Sequence, residues 1–112
     1  EAAMAKKHLV LILTVPMEGR EEEYNDYYEN LHLREVIETT NLKTAQRFKL
    51  AAQAGESCPL PYLAVYETEA ERAEDVIKNL NETRSARQQS DALNRRTGRV
   101  WVFEEIGDKQ GE

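Results

Sequence analysis

An α+β domain, with four antiparallel strands and two helices on one sheet face in the order βαββαβ, is what this sequence predicts. Three observations carry the prediction. Runs of alternating apolar residues recur over 7–15, 44–51, 62–68 and 99–106. Tyr24, Tyr27, Tyr28 and Leu31 follow the i, i+3, i+4, i+7 spacing of a helix that buries one stripe. Ala73, Val76, Ile77 and Leu80 make a second stripe of the same period. That order is the split βαβ, or ferredoxin-like, topology.

The elements follow from local chemistry. Strand one spans 7–15 and stops at Pro16, which cannot donate to a ladder. Helix one spans 20–39, with a break expected near His32. Glu18, Glu21, Glu22 and Glu23 crowd its start, where the helix dipole favours negative charge. A turn at Thr40-Asn41 follows, with Asn41 expected in the left-handed conformation that Asn tolerates. Strand two spans 44–51, and Gly55, Pro59 and Pro61 mark a loop. Strand three spans 62–68. Thr68-Glu-Ala-Glu71 reads as a capping box that opens helix two. A further short helix is expected over 86–94, and strand four over 99–106. The domain is expected to span 4–107, residues 1–3 being an expression remnant before Met4 and residues 108–112 a frayed tail.

Composition narrows the function classes. At 112 residues the chain makes one domain, and its 40% hydrophobic and 32% charged residues fit a soluble globular protein. A net charge of −6 argues against nucleic acid as a partner. The longest apolar run, 9–13, is too short to span a membrane. The single Cys58 excludes an internal disulfide and suits a reducing cytoplasm, the expected location. No Cys/His spacing suggests a metal. Arg84, Arg87, Arg95, Arg96 and Arg99 gather late in the chain. They read as a solvated basic surface ahead of an anion site.

The strands are apolar on both faces: Leu9, Leu11, Leu13 and Val15 alternate with Val10 and Ile12, and Trp101 and Phe103 with Val100 and Val102. Two helices cover one face only. The other needs a cover, and a second copy of the same sheet is the simplest. A homodimer closing into a barrel is therefore expected, with its mouth as a ligand site.

The stretch Tyr27-Tyr28 … His32 … Glu35, followed by Ala45-Gln46-Arg47-Phe48, resembles the EthD-like family of the dimeric α/β-barrel superfamily. Arg34 stands where that family has Pro, and Thr40-Asn41 where it has Pro-Gly. The resemblance extends through Pro61–Glu67, Ser90–Leu93 and Trp101–Glu104, nearly the whole chain. It implies the dimeric barrel, a His pointing into a cavity between helix and sheet, and chemistry without a cofactor. One candidate ligand is too few to expect haem.

His32 is the candidate catalytic residue, because a ring titrating near neutrality suits proton transfer. Its alternative is a His satisfying a helix end or bonding Tyr28. Tyr28, Arg47, Tyr66 and Trp101 are the candidate substrate-binding residues. An inward Arg47 would hold an enolate or carboxylate, and Tyr66 and Trp101 sit on strands that read as central. For the tyrosines, ordinary core packing is the competing reading. Glu35 and Asp91 are candidate partners of His32, and His8 is expected to be exposed. Two functions follow. One is a cofactor-free lyase, isomerase, cyclase or monooxygenase acting by acid/base chemistry on a small hydrophobic, oxygenated or aromatic substrate. The alternative is a non-catalytic ligand-binding or accessory protein with the same cavity.

Overall fold

The computed structural model describes residues 4–111. The expected remnant at 1–3, and Glu112 at the end of the tail, lie outside them. The elements are β1 (Lys6–Thr14), α1 (Glu21–Tyr27), a π-helical turn (Tyr28–His32), α2 (Leu33–Thr39), β2 (Thr44–Lys49), β3 (Tyr62–Ala70), α3 (Ala73–Glu82), a 3₁₀ turn (Arg84–Ala86) and β4 (Arg99–Glu104). The strands form one sheet in the order β2-β3-β1-β4, each neighbouring pair antiparallel. This is an α+β architecture compatible with a ferredoxin-like fold. No helix among the described residues is long and apolar enough to cross a membrane.

Register divides the sheet into two faces, because side chains alternate along a strand. One face carries the rows Val102–Val10–Tyr66–Ala45 and Val100–Ile12–Ala64–Arg47. The helices pack here. Tyr24, Tyr28, Val36, Val76 and Leu80 join Val10, Ala64 and Tyr66 in a single buried cluster. The opposite face carries Phe103–Leu9–Glu67–Thr44, Trp101–Leu11–Val65–Gln46 and Arg99–Leu13–Leu63–Phe48. On it Phe48, Trp101 and Phe103 remain 47%, 42% and 53% exposed.

The first helix runs through α1, the π-helical turn and α2 without a cap between them. Gly19 precedes it with φ of 79°, a conformation that costs glycine nothing. The acidic first turn, Glu21 to Glu23, complements the dipole. The helix ends where Thr39 and Thr40 turn their hydroxyls back onto the carbonyls of Glu35 (2.7 Å) and Val36 (2.6 Å). That back-bonding competes with the backbone ladder and favours termination.

Five local expectations are corrected. Asn41 is not left-handed, since no non-glycine residue among those described has positive φ. Hydrogen bonds hold the turn instead. Asn41 N–H donates to Asn79 Oδ1, its carbonyl accepts from Thr68 Oγ1, and Leu42 N–H donates to Thr40 Oγ1. Thr68 therefore caps no helix. It lies buried in β3, which runs on to Ala70, and α3 starts at Ala73 without a side-chain cap. The helix expected over 86–94 is the 3₁₀ turn followed by irregular chain, pinned by a β-bridge between Pro16 and Leu93. β4 is an edge strand, not a central one. His8 is fully buried, its Nδ1 against Lys6 O (2.9 Å) and its Nε2 against Glu104 Oε1 (3.2 Å). Alternation placed it on the helix side, and two partners satisfy its ring there.

Candidate functional site

A cavity of about 240 Å³ opens where β1 ends, β4 begins and α3 finishes. Ile12, Leu80, Leu93 and Val100 form its apolar wall, Tyr28 and His32 its helix-side wall, and Arg84, Arg87, Gln89 and Arg95 its mouth. It is small beside the range typical of ligand sites, about 300–1,000 Å³. A wider, shallower recess of about 420 Å³ continues outward over Asn81, Arg84, Arg87, Gln89 and Arg95.

The π-helical turn positions His32. An α-helix places residues i and i+4 on one face; the wider π turn brings i+5 into line as well. His32 accordingly meets both tyrosines. Its ring stacks on Tyr27 (centroids 4.8 Å apart, 22° between planes) and stands edge-on to Tyr28 (4.9 Å, 90°). The break expected near His32 is this widened turn.

The hydrogen bonds fix which nitrogen is the base. Tyr27 has one hydroxyl proton and donates it to the carbonyl of Gln88 (2.8 Å). Its oxygen lies 2.9 Å from His32 Nδ1 and can therefore only accept there. His32 must carry its proton on Nδ1, which leaves the lone pair on Nε2. Among the described residues Nε2 has no hydrogen-bond partner. Burial, with the nearby Arg87 charge adding to it, lowers the ring's pKa to about 4. At neutral pH His32 is an uncharged base. The Tyr27 hydroxyl is held the opposite way: burial first, then the Glu35 charge, pushes it up to about 12. It stays protonated and keeps the relay in one orientation.

The other candidates divide. Glu35 makes no hydrogen bond to His32; its Oε1 accepts the Gln88 N–H (2.9 Å) and so ties down the residue whose carbonyl orients Tyr27. It supports His32 at two removes. Asp91 is not brought to His32. Its side chain is 86% exposed and paired with Arg20 at 2.9 Å, which holds the carboxyl below its usual range. Arg47, whose direction the sequence leaves open, points to the helix side and is occupied. It bonds Glu29 (3.0 Å) and Asn25 (2.7 Å) and lies over the rings of Tyr24, Tyr28 and Tyr62 at 4.7–5.4 Å. That guanidinium is a bolt between helix and sheet. Tyr28 lines the cavity. Tyr66 is fully buried behind the lining, and its hydroxyl has no partner among the described residues. Burial raises its pKa strongly, so the phenol remains neutral. Trp101 lies on the opposite sheet face, beside Leu11, away from this cavity.

Sequence reasoning missed the mouth. Arg84, Arg87 and Arg95 belong to the late basic cluster assigned to solvent. The signal that finds them is topological: the segment from α3 to β4 must pass over the strand ends on the helix side, and these three arginines sit on it. Arg87 is the most enclosed, donating to Thr39 Oγ1 (3.0 Å), Thr83 Oγ1 (2.8 Å) and the Leu80 carbonyl (3.0 Å). No family model, no curated protein and no solved structure matches this chain.

Proposed function

We propose that this chain is a cofactor-free acid/base enzyme acting on a small, largely apolar oxygenated or aromatic substrate, with His32 Nε2 as the base. The observation that carries the reading is the relay Gln88 carbonyl–Tyr27–His32. It spends the one hydroxyl proton on a carbonyl and leaves an unprotonated nitrogen without a protein partner beside an apolar-walled cavity. A histidine whose role was packing would have both nitrogens satisfied, as His8 has.

In this reading the substrate's apolar body rests on Ile12, Leu80, Leu93 and Val100. Nε2 takes a proton from an activated C–H or O–H and returns it to another atom of the same substrate, as an isomerase, cyclase or lyase requires. The low basicity of a buried imidazole limits it to acidic protons, or to protons made acidic by nearby positive charge. The same reading retains the resemblance to EthD-like dimeric α/β barrels and the homodimer. The apolar face bearing Trp101, Phe103 and Phe48 supports the dimer. Within it Trp101 belongs to the subunit contact and Arg47 to the frame of the helix.

Solvent deuterium incorporation tests the proposal. A panel of neutral C–H acids, aryl ketones and enol lactones, is incubated in D₂O with the protein and with His32→Asn. At least one compound is expected to exchange faster with the parent, with the variant slower by about 10²–10⁴-fold. Exchange within a few-fold in the two proteins across the panel overturns the role of His32. It would put the non-catalytic binding protein ahead.

A further inference from the structure

We infer that the mouth of the His32 cavity binds an anionic group, and that the ligand is an apolar body carrying a carboxylate. The inference rests on the cavity being the functional site and names its ligand class. Three guanidinium groups, those of Arg84, Arg87 and Arg95, converge on one opening, and the lining contains no Asp or Glu. The arginine ion pairs of the described residues involve Arg20, Arg47 and Arg72, not these three arginines. Glu35 accepts the Gln88 N–H, and Asp91 is paired with Arg20 at 2.9 Å. Arg87 is part-buried, and its three partners are two hydroxyls and a carbonyl, all neutral. The guanidinium charge is therefore satisfied in hydrogen bonds and not in charge. Burial lowers its pKa, the neighbouring Arg84 charge adds to that, and the Glu35 carboxylate offsets only part of it.

In a chain of net charge −6, three arginines without a direct ion pair among the described residues stand out at one mouth against the acidic background. They attract an anion in preference to a neutral solute. Of the apolar wall, Leu80 is buried and Ile12 and Leu93 are half-buried, whereas Arg84 and Arg95 are exposed; Val100 reaches the rim. A ligand matching both layers has a hydrophobic end and an oxyanion end, and a carboxylate suits the planar fork of arginine. Such an anion would sit beside His32, where the same charges would also stabilise an enolate formed by proton removal.

The test uses phenylacetate, its neutral isostere phenylacetamide and inorganic phosphate, read by side-chain NMR of the arginine Nε–Hε groups and the His32 ring. Phenylacetate is expected to shift these signals saturably and at least about tenfold more tightly than phenylacetamide, because a charge-assisted hydrogen bond typically contributes that factor or more. The Arg84→Gln/Arg95→Gln double variant is expected to weaken phenylacetate about tenfold or more. Neither side chain makes a hydrogen bond to another described residue, so the fold does not depend on them. Arg87 is left in place because it ties three segments together. Equal binding of acid and amide, no binding of either, or an unchanged affinity in the double variant overturns the anion site. Phosphate binding as tightly as phenylacetate overturns the apolar-body half. The deuterium-exchange panel contains only neutral compounds, so failure here leaves that result standing. Loss of exchange with selective phenylacetate binding retained would remove the base and keep the anion site.

Discussion

The two faces of one sheet, made by alternate residues of the same strands, have opposite characters. On the helix side β1 presents His8, Val10, Ile12 and Thr14 to a layer that also holds five tyrosines, Arg47, His32 and the arginine-lined mouth. On the other side it presents Leu9, Leu11 and Leu13, flanked by Trp101, Phe103, Leu63, Val65 and Phe48. The first face is covered by the helices over much of β1 and β3, and nearly every buried polar side-chain atom on it has a partner; the Tyr66 hydroxyl is the exception among the described residues. The second is apolar and largely uncovered. The difference separates two jobs: polar groups held in fixed orientations belong where chemistry occurs, and undirected apolar surface belongs where another sheet can be laid.

If that separation is real, the faces can be broken independently. Trp101→Glu and Phe103→Glu place charge at the edge of the apolar face. Each removes a large aromatic anchor from the proposed dimer and would bury an unpaired carboxylate in it. Together they are expected to weaken association by about 10³-fold or more. Sedimentation of the parent at micromolar concentration should give roughly twice the 12.9 kDa chain mass, and the double variant should run as a single chain. The His32 ring signals should not move, because no part of the relay touches that face. A parent that stays monomeric from micromolar to near-millimolar concentration sinks the dimer.

The helix face can be probed by pH. His32 ordinarily titrates at 6.5, and in the folded chain burial lowers it to about 4. The unfolded chain therefore binds a proton between these values that the folded chain refuses. Stability conferred by the neutral ring is complete above pH 6.5 and is lost as pH falls towards about 4. For a partly buried ring the loss is on the order of 1–3 kcal/mol. Urea unfolding at pH 7 and pH 4.5 should show a larger drop for the parent than for His32→Asn. The other ionisable groups are common to both proteins and cancel from the difference. Equal drops would mean that His32 is protonated in the folded state near its ordinary pKa, and the base would lose its physical footing.

Periodicity carried the fold and much less of the site. The period-2 runs located all four strands to within about two residues, and the tyrosine stripe located the first helix, because burial imposes both patterns on the sequence directly. The boundaries that failed were set by tertiary partners. Thr68 looks like an N-cap in sequence, but Asn41, 27 positions away, supplies its hydrogen-bond partner. His32 was legible as a polar ring on a core stripe. What orients it, the carbonyl of Gln88, has no signature at all, since every residue carries a carbonyl. Arg47 could be placed on strand two but not oriented from sequence, since its direction and its engagement by Glu29 and three rings depend on packing. The arginine mouth was hidden because charge on an irregular segment looks like solvated surface until the chain path is known. Trp101 shows the remaining limit: alternation says that Trp101 and Tyr66 each face some layer, but only register says that the layers differ.

The smallest effect concerns the turn that fastens the helix layer to the sheet. Asn41 donates its N–H to Asn79 on α3 (3.0 Å) and accepts at its carbonyl from Thr68 on β3 (2.8 Å). Both bonds use its backbone, and its own side chain makes no hydrogen bond to the described residues. Its φ is negative. Glycine there relieves no strain and adds freedom to the unfolded chain, so Asn41→Gly should cost about 0.5–1 kcal/mol. Valine keeps both backbone bonds and tolerates negative φ, so Asn41→Val should lie within about 0.5 kcal/mol of the parent. Urea midpoints at pH 7 decide the order. A stable glycine variant and a weak valine variant would restore a left-handed turn. The reverse order makes the backbone bonds to Thr68 and Asn79 the fastening between the first helix, α3 and the helix side of the sheet.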